Sequence, residues 1–340
     1  MELIYHYCSL ETFVQIIKNK TIRLSDLDKT NDYMEKRWGM ELLQEALKGE
    51  LEDNCISMDL QEDYWYSKDS HNHIEQLNHD IERYLKHQTL IACFSLESDQ
   101  LGQWRAYGQD GEGIAIGFDY SYLKHLLRKQ DRILIDKVVY GKGEQAKLIR
   151  KKMFVPALEY MRDLFQRSAV KCSNDFNTFF IEEFDCFCEV LDTTTEQVFT
   201  FLKNPAFEEE REVRIVYNAG IYEEIETCEL KEIINEKIEI GKKKELILQP
   251  IQYQAKGNRL VAYADLSFEN CIDKMIQEIV IGPKSKVLEK DIRQFLLSNN
   301  YEDYTSVIEL LINENIGYPQ IMSEYVVEIW EILSNLVKVS

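Results

Sequence analysis

Proline is scarce, at five residues in 340, and no stretch rich in Pro, Gly or Ser marks a linker or a low-complexity segment. Domain boundaries are therefore soft, and no internal repeat supplies one. The eight cysteines are scattered without a CxxC pair, which argues against a disulfide framework or a clustered thiolate site and fits reduced, mostly buried thiols. No run of about 18 apolar residues occurs, and the opening "MELIYHYCSL" has neither a basic region nor a long apolar core. A soluble, cytoplasmic protein that avoids membranes is expected. Basic residues are also in deficit: forty Lys and Arg against sixty Asp and Glu leave a formal net charge of -20. That field repels phosphate backbones, so non-specific nucleic-acid binding is not expected. The basic runs "LLRKQDR" and "KLIRKKM" read as solvated helix faces.

The composition that remains, 45% hydrophobic with 11% aromatic, fits a globular chain with enough residues to bury a core. "ELIYHYC" reads as a strand, "SLETFVQIIKN" as a helix capped by Ser9, and "TIRLSDL" as a second short strand. "QTLIACFSL", the helix "SDQLGQWRAYG" and "GEGIAIGFD" form a strand, helix, strand unit. "REVRIVYNA", "ELILQPIQYQ", "LVAYADLSF" and "IQEIVIGP" supply later strands rich in Ile, Val and Tyr. Helical or loop-like insertions are expected at about 36–86 and 126–195, and a helical appendage over 286–340. Within that appendage "YVVEIWEILSNLVK" is an apolar helix suited to self-association.

The chemistry is concentrated in "FEEEREVRIVY", where Glu210, Glu212 and Arg214 stand two residues apart on one face of a strand. Two carboxylates on one face raise one pKa unless a cation intervenes, and Arg214 is placed to do so. Asn31, Asp32 and Glu35 follow the second strand as candidates to line the same cleft, with turn and helix-capping roles as the alternative. A His, Cys, Asp or Glu set at metal-ligand spacing is lacking, and no metal is expected.

The motifs "YHYCS", Asn31 and Asp32 with Glu35, Trp104 and Tyr107 leading into Gly113 through Phe118, and Phe207, Glu210, Glu212 and Arg214 resemble a bacterial family of unknown function. Its pattern is YHYTS, NDxxE, WxxY, GxxIxF and WxxExExR. Cys8 and Phe207 stand where that pattern has Thr and Trp. The order "IYHYCSLETFVQIIKNKTIRL", "CFSLESDQLGQWRAYGQDGEGIAIGFD" and "EVRIVY" is similar, more distantly, to the ADP-ribosyltransferase superfamily in its His-Tyr-Glu branch. The resemblance runs over about residues 1–285. It implies an α+β fold with a split, mostly antiparallel sheet core of ADP-ribosyltransferase type, and NAD consumed as substrate by transfer to an unknown macromolecular acceptor, as in a bacterial toxin or antiphage effector. By that resemblance Glu212 stabilises an oxocarbenium-like ribose and Glu210 positions the attacking nucleophile. His6, Tyr7, Ser95, Trp104, Tyr107 and Arg214 then hold the cofactor. The competing readings are a metal-dependent nuclease built on Asp32, Glu35, Glu210 and Glu212, disfavoured by the absence of a lysine beside the paired acids, and a non-catalytic ligand-sensing or interaction module.

Overall fold

The computed structural model describes residues 2–29, 38–39, 42–43, 46, 87–167, 176–220, 226–301, 306–312 and 319–321. Asn31, Asp32, Glu35, nearly all of the 36–86 segment and "YVVEIWEILSNLVK" lie outside them.

The chain opens with β1 (Leu3–Cys8), α1 (Leu10–Asn19) and β2 (Thr21–Asp26). Ser9 begins α1 as its periodicity predicts, because its hydroxyl accepts from Thr12 N–H at 3.1 Å, and Phe13, Ile16 and Ile17 form the buried stripe. β3 (Thr89–Ser95), α2 (Leu101–Ala106) and β4 (Ile114–Asp119) follow. α2 is entered at Gln100, whose side chain makes no cap bond. Gly113 enters β4 where the Cys8 carbonyl packs against its Cα, leaving no room for a Cβ.

α3 (Tyr120–Leu127) and β5 (Ile133–Lys137) come next. The expected helical insertion is α4 (Lys142–Ile149), a π-helical turn at Arg150–Phe154, α5 (Val155–Arg167), α6 (Phe176–Glu182) and α7 (Phe184–Phe199). These elements enclose their own cluster of Met153, Phe154, Phe180, Phe184 and Phe187. A 3-10 turn, Pro205–Glu210, leads into β6 (Glu212–Asn218). α8 (Thr227–Asn235), β7 (Ile238–Ile240), β8 (Leu246–Leu248), β9 (Gln252–Lys256), β10 (Arg259–Ser267), α9 (Ile272–Met275) and β11 (Ile276–Ile281) complete the central region.

The carboxy-terminal stretch departs from the expected helical appendage. Glu289–Ser298 is helical (α10), but Ser306–Ile312 is β12 and Pro319–Ile321 is β13. β12 lies parallel to β11, which extends the sheet. Its "SVIELLI" run is apolar along almost its whole length, a pattern compatible with either helix or strand by periodicity.

The architecture is α+β with a mostly antiparallel open sheet. Its order, β13-β12-β11-β4-β1-β3-β2-β10-β8-β7, is branched at β3. One edge of β3 pairs with β6 over its full length. The other edge is shared: β1 meets it at Ser95 and β2 at Leu90 and Ile91. β1 and β2 therefore diverge along β3 and leave the backbone around Cys93 in a fork. Below the sheet lies one large apolar core, in which Phe118 stacks edge-on with Phe94 at 5.6 Å and Phe268 at 6.1 Å. Among the described residues no helix is long and apolar enough to cross a membrane.

The Phe94–Phe118–Phe268 stack joins the two sides of the fork. Phe118→Ala should cost about 3–5 kcal/mol, read as a lower urea midpoint at unchanged slope.

Candidate functional site

β6 is buried on both faces. Val213, Ile215 and Tyr217 face the main core, while Val216 packs with Ile91 and Phe201 on the other side. Glu212 and Arg214 share that second face, and register places Ser95 opposite Glu212 and Cys93 opposite Arg214. A carboxylate buried there must find partners, and it does. Arg214 donates from Nε to Glu212 Oε1 at 2.8 Å and from Nη2 to Oε2 at 2.7 Å. Its third donor, Nη1, reaches Thr200 O at 2.8 Å. Lys203 Nζ bridges Glu212 Oε2 at 3.1 Å and Glu210 Oε2 at 2.6 Å. The Cys93 thiol also bonds the Glu212 carboxyl.

Two acids and two bases thus form a neutral cluster in which Glu212, Arg214 and Lys203 are at most 7% exposed. Burial raises the Glu212 pKa, but Arg214 and then Lys203 overcome it and hold the carboxyl at about 2. The position is fixed further by Tyr140, whose hydroxyl accepts the Glu212 backbone N–H at 3.0 Å. Gln145 donates to Val139 O and Lys203 O at 2.7 Å each, tying the two strands of chain that flank the cluster.

Glu212 is engaged on both oxygens within the protein. A carboxylate offers about four acceptor positions; two bonds from Arg214 and one from Lys203 occupy three of them, and the Cys93 thiol lowers the same carboxyl's pKa further. Glu210 is different: its side chain is 20% exposed, and one oxygen accepts from Lys203 while the other has no partner among the described residues. Tyr107 is 46% exposed and lies in the field of this cluster; burial first, then Glu210, pushes its phenol up to about 12.

His6 sits in the fork. Its Nδ1 donates to the Cys93 carbonyl at 3.0 Å, on the stretch of β3 between its contacts with β1 and β2. Its ring leans on Phe94 at 5.7 Å. It is partly exposed, and Nε2 has no hydrogen bond among the described residues. Burial holds the imidazole below its ordinary value of 6.5, with the Cys93 carbonyl pulling the other way.

Three residues expected to hold a ligand make hydrogen bonds within the protein. Tyr7 is buried; its hydroxyl donates to Glu97 O at 2.7 Å and accepts from Gln100 N–H at 3.1 Å. Trp104, 1% exposed, packs edge-on against Tyr7 at 4.7 Å and donates its indole N–H to Asp99 at 2.9 Å. Ser95 is fully buried, with its hydroxyl 3.0 Å from Glu210 O and 3.2 Å from Gln100 Oε1. These bonds pin the loop after β3 against the turn that carries Glu210. Arg214, also expected to touch a ligand, is 1% exposed and committed to Glu212.

Sequence reading missed Lys203, Cys93, Tyr140 and Gln145. Lys203 supplies the lysine that the sequence appeared to lack beside the paired acids; the turn at Pro205–Glu210 folds it back onto them. The only signal in the sequence is "NP" after it, with Asn204 capping that turn through Ala206 N–H at 2.9 Å. Among the described residues no group of three or more His, Cys, Asp or Glu is placed to hold a metal.

A family described as a protein of unknown function (DUF2971) matches residues 103–215, a span that contains Tyr107 at one end and Glu210, Glu212 and Arg214 at the other. No curated protein and no solved structure matches the chain.

Removing one partner from a buried pair strands the other. Glu212→Gln should therefore cost about 3–5 kcal/mol in urea unfolding, and the double replacement Glu212→Met with Arg214→Leu should recover most of the loss. The pH dependence has two parts. His6 has a lowered pKa in the folded state, so its contribution is complete above 6.5 and declines as pH falls below that value. Glu212, at about 2 against an ordinary 4.5, adds a second loss as pH falls from 4.5 toward 2. His6→Asn should flatten the first stage alone, measured as urea midpoint against pH.

Proposed function

We propose that the chain is an NAD-consuming ADP-ribosyltransferase whose dinucleotide lies at the fork in the sheet, with Glu210 rather than Glu212 as the carboxylate presented to the nicotinamide ribose. One observation carries this reading: three distant parts of the chain meet at Cys93. Its carbonyl holds His6, its thiol meets Glu212, and Tyr107 lies in the field of the same groups.

Each has a part in the chemistry. Breaking the C1′–N bond sends the bonding pair out with nicotinamide and leaves positive charge on the ribose, which a nearby carboxylate stabilises more in the transition state than in the ground state. Glu210, with an unclaimed oxygen, offers that charge and can orient the acceptor that adds to C1′. Half-exposed Tyr107 offers an aromatic face for nicotinamide, and the unpartnered Nε2 of His6 is free for a ribose hydroxyl. Glu212 keeps Lys203 and Arg214 charged and in place behind Glu210. The acceptor, cytoplasmic location, effector role and self-association belong to the same proposal.

A second reading is favoured by the saturation of Glu212: a module that binds a dinucleotide without turning it over.

Incubating the full chain with NAD labelled in the adenosine moiety, and following free nicotinamide and label transfer, tests both. Wild type should release nicotinamide; Glu210→Gln and Tyr107→Ala should lower the rate at least tenfold at unchanged thermal midpoint, while Glu212→Gln should act mainly through the midpoint. Binding of NAD without nicotinamide release selects the second reading, and absence of binding overturns both.

A further inference from the structure

Away from the fork, the outer edge of β5 is open among the described residues. β5 pairs with β6, and among the described strands with no other. The bonds that bracket this pairing run from Asn218 N–H to Arg132 O and from Val138 N–H to Glu212 O. They set the alternation: even-numbered residues of β5 turn their backbone groups toward β6, and Ile133, Ile135 and Lys137 turn theirs outward. Among the described residues only the Lys137 N–H has a local cover, Asp136 Oδ1 at 3.0 Å.

Two residues beyond Lys137, the outward groups are in use. Val139 N–H donates to Phe201 O at 2.8 Å and Val139 O accepts from Lys203 N–H at 3.2 Å, a parallel bridge of Val139 with Leu202. The chain thus adds a neighbour to this edge and then leaves it. Beside the vacated stretch lies a cavity of about 510 Å³ between α3, β5, α7 and the α4–π segment. Its floor is apolar, with Leu134, Leu148 and Phe201, and its rim is basic, with Lys124, Arg128, Lys137 and Lys152. Lys124 is answered by Asp136 at 3.2 Å and Lys137 by Glu2 at 2.7 Å. Arg128 and Lys152, both exposed, have no ion pair among the described residues. With Lys124 and Lys137 paired, Arg128 and Lys152 leave this cavity locally basic in a chain whose net charge is -20.

We propose that this groove binds an extended acidic peptide that adds to the outer edge of β5 as a further strand. The peptide backbone pairs with Ile133, Ile135 and Lys137, its apolar side chains rest on Leu134 and Phe201, and its carboxylates meet Arg128 and Lys152. Ile133 to Lys137 spans about 13 Å at a strand rise of 3.3 Å per residue, room for four or five residues of the guest. The open backbone edge selects a peptide over an anionic amphiphile, because only a peptide supplies the alternating donors and acceptors that this edge lacks.

A fluorescein-labelled octapeptide of alternating Val and Glu, titrated with the full chain and followed by anisotropy, tests this. Binding is expected, with none for the matching Val and Lys peptide. Arg128→Glu with Lys152→Glu, two exposed positions whose exchange should leave the circular dichroism spectrum unchanged, should weaken binding at least tenfold. N-methylation of every second residue of the peptide is the decisive probe: one phase should abolish binding and the other should be tolerated, because only alternate amides of an added strand face its neighbour. Equal binding of both methylated phases, binding of dodecanoate with no binding of the peptide, or full affinity in the doubly reversed variant would each overturn the proposal.

Discussion

Arg214 and Glu212 leave water together, and the surroundings of β6 are organised around that fact. Neither charge is tolerable alone on a strand that is buried on both faces. The pair is therefore bidentate, and its remaining capacity is used by Thr200 O, Lys203 and the Cys93 thiol. Those partners come from the end of α7, from the turn that follows it and from β3. An ion pair that contributes little net stability by itself can still dictate where three separate segments must be.

The fork in the sheet is the second constraint, and it follows from pairing rather than charge. β3 has one edge for β6 and must divide the other between β1 and β2. At Cys93, between those two pairings, the carbonyl accepts from His6 on the diverging strand. The same side chain thus donates to the strand at Cys93 and keeps its second ring nitrogen without a hydrogen bond among the described residues. A structural and a ligand-facing role are compatible here because the two ring nitrogens are distinct.

Much of this frame was legible in the sequence because local patterns act over short distances. Ser9, Phe13, Ile16 and Ile17 announce α1, and the β-branched runs announce β3, β4, β6 and β11. The site was legible only as a set of residues. Glu210, Glu212 and Arg214 were found by their spacing, but which carboxylate is saturated depends on Lys203, and its approach is created by a 3-10 turn that no periodicity encodes. Trp104, Tyr7 and Ser95 carry the right chemistry for ligand contact, yet their polar atoms are taken by Asp99, Glu97 and Glu210. "SVIELLI" failed for a different reason, since a continuous apolar run is ambiguous until a neighbour such as β11 chooses for it.

The position of β1 in the middle of the sheet has a consequence for biogenesis. β1 is flanked by β3 and β4, which follow it in the chain, and β2 waits for β10, as the Arg23–Asp265 bond across 242 positions records. A nascent chain leaving the ribosome holds its central strands long before their partners exist, so loop-closure entropy makes folding slow and high in contact order. During that interval the apolar faces of Ile4 and Phe13 are clients for chaperones rather than members of a core.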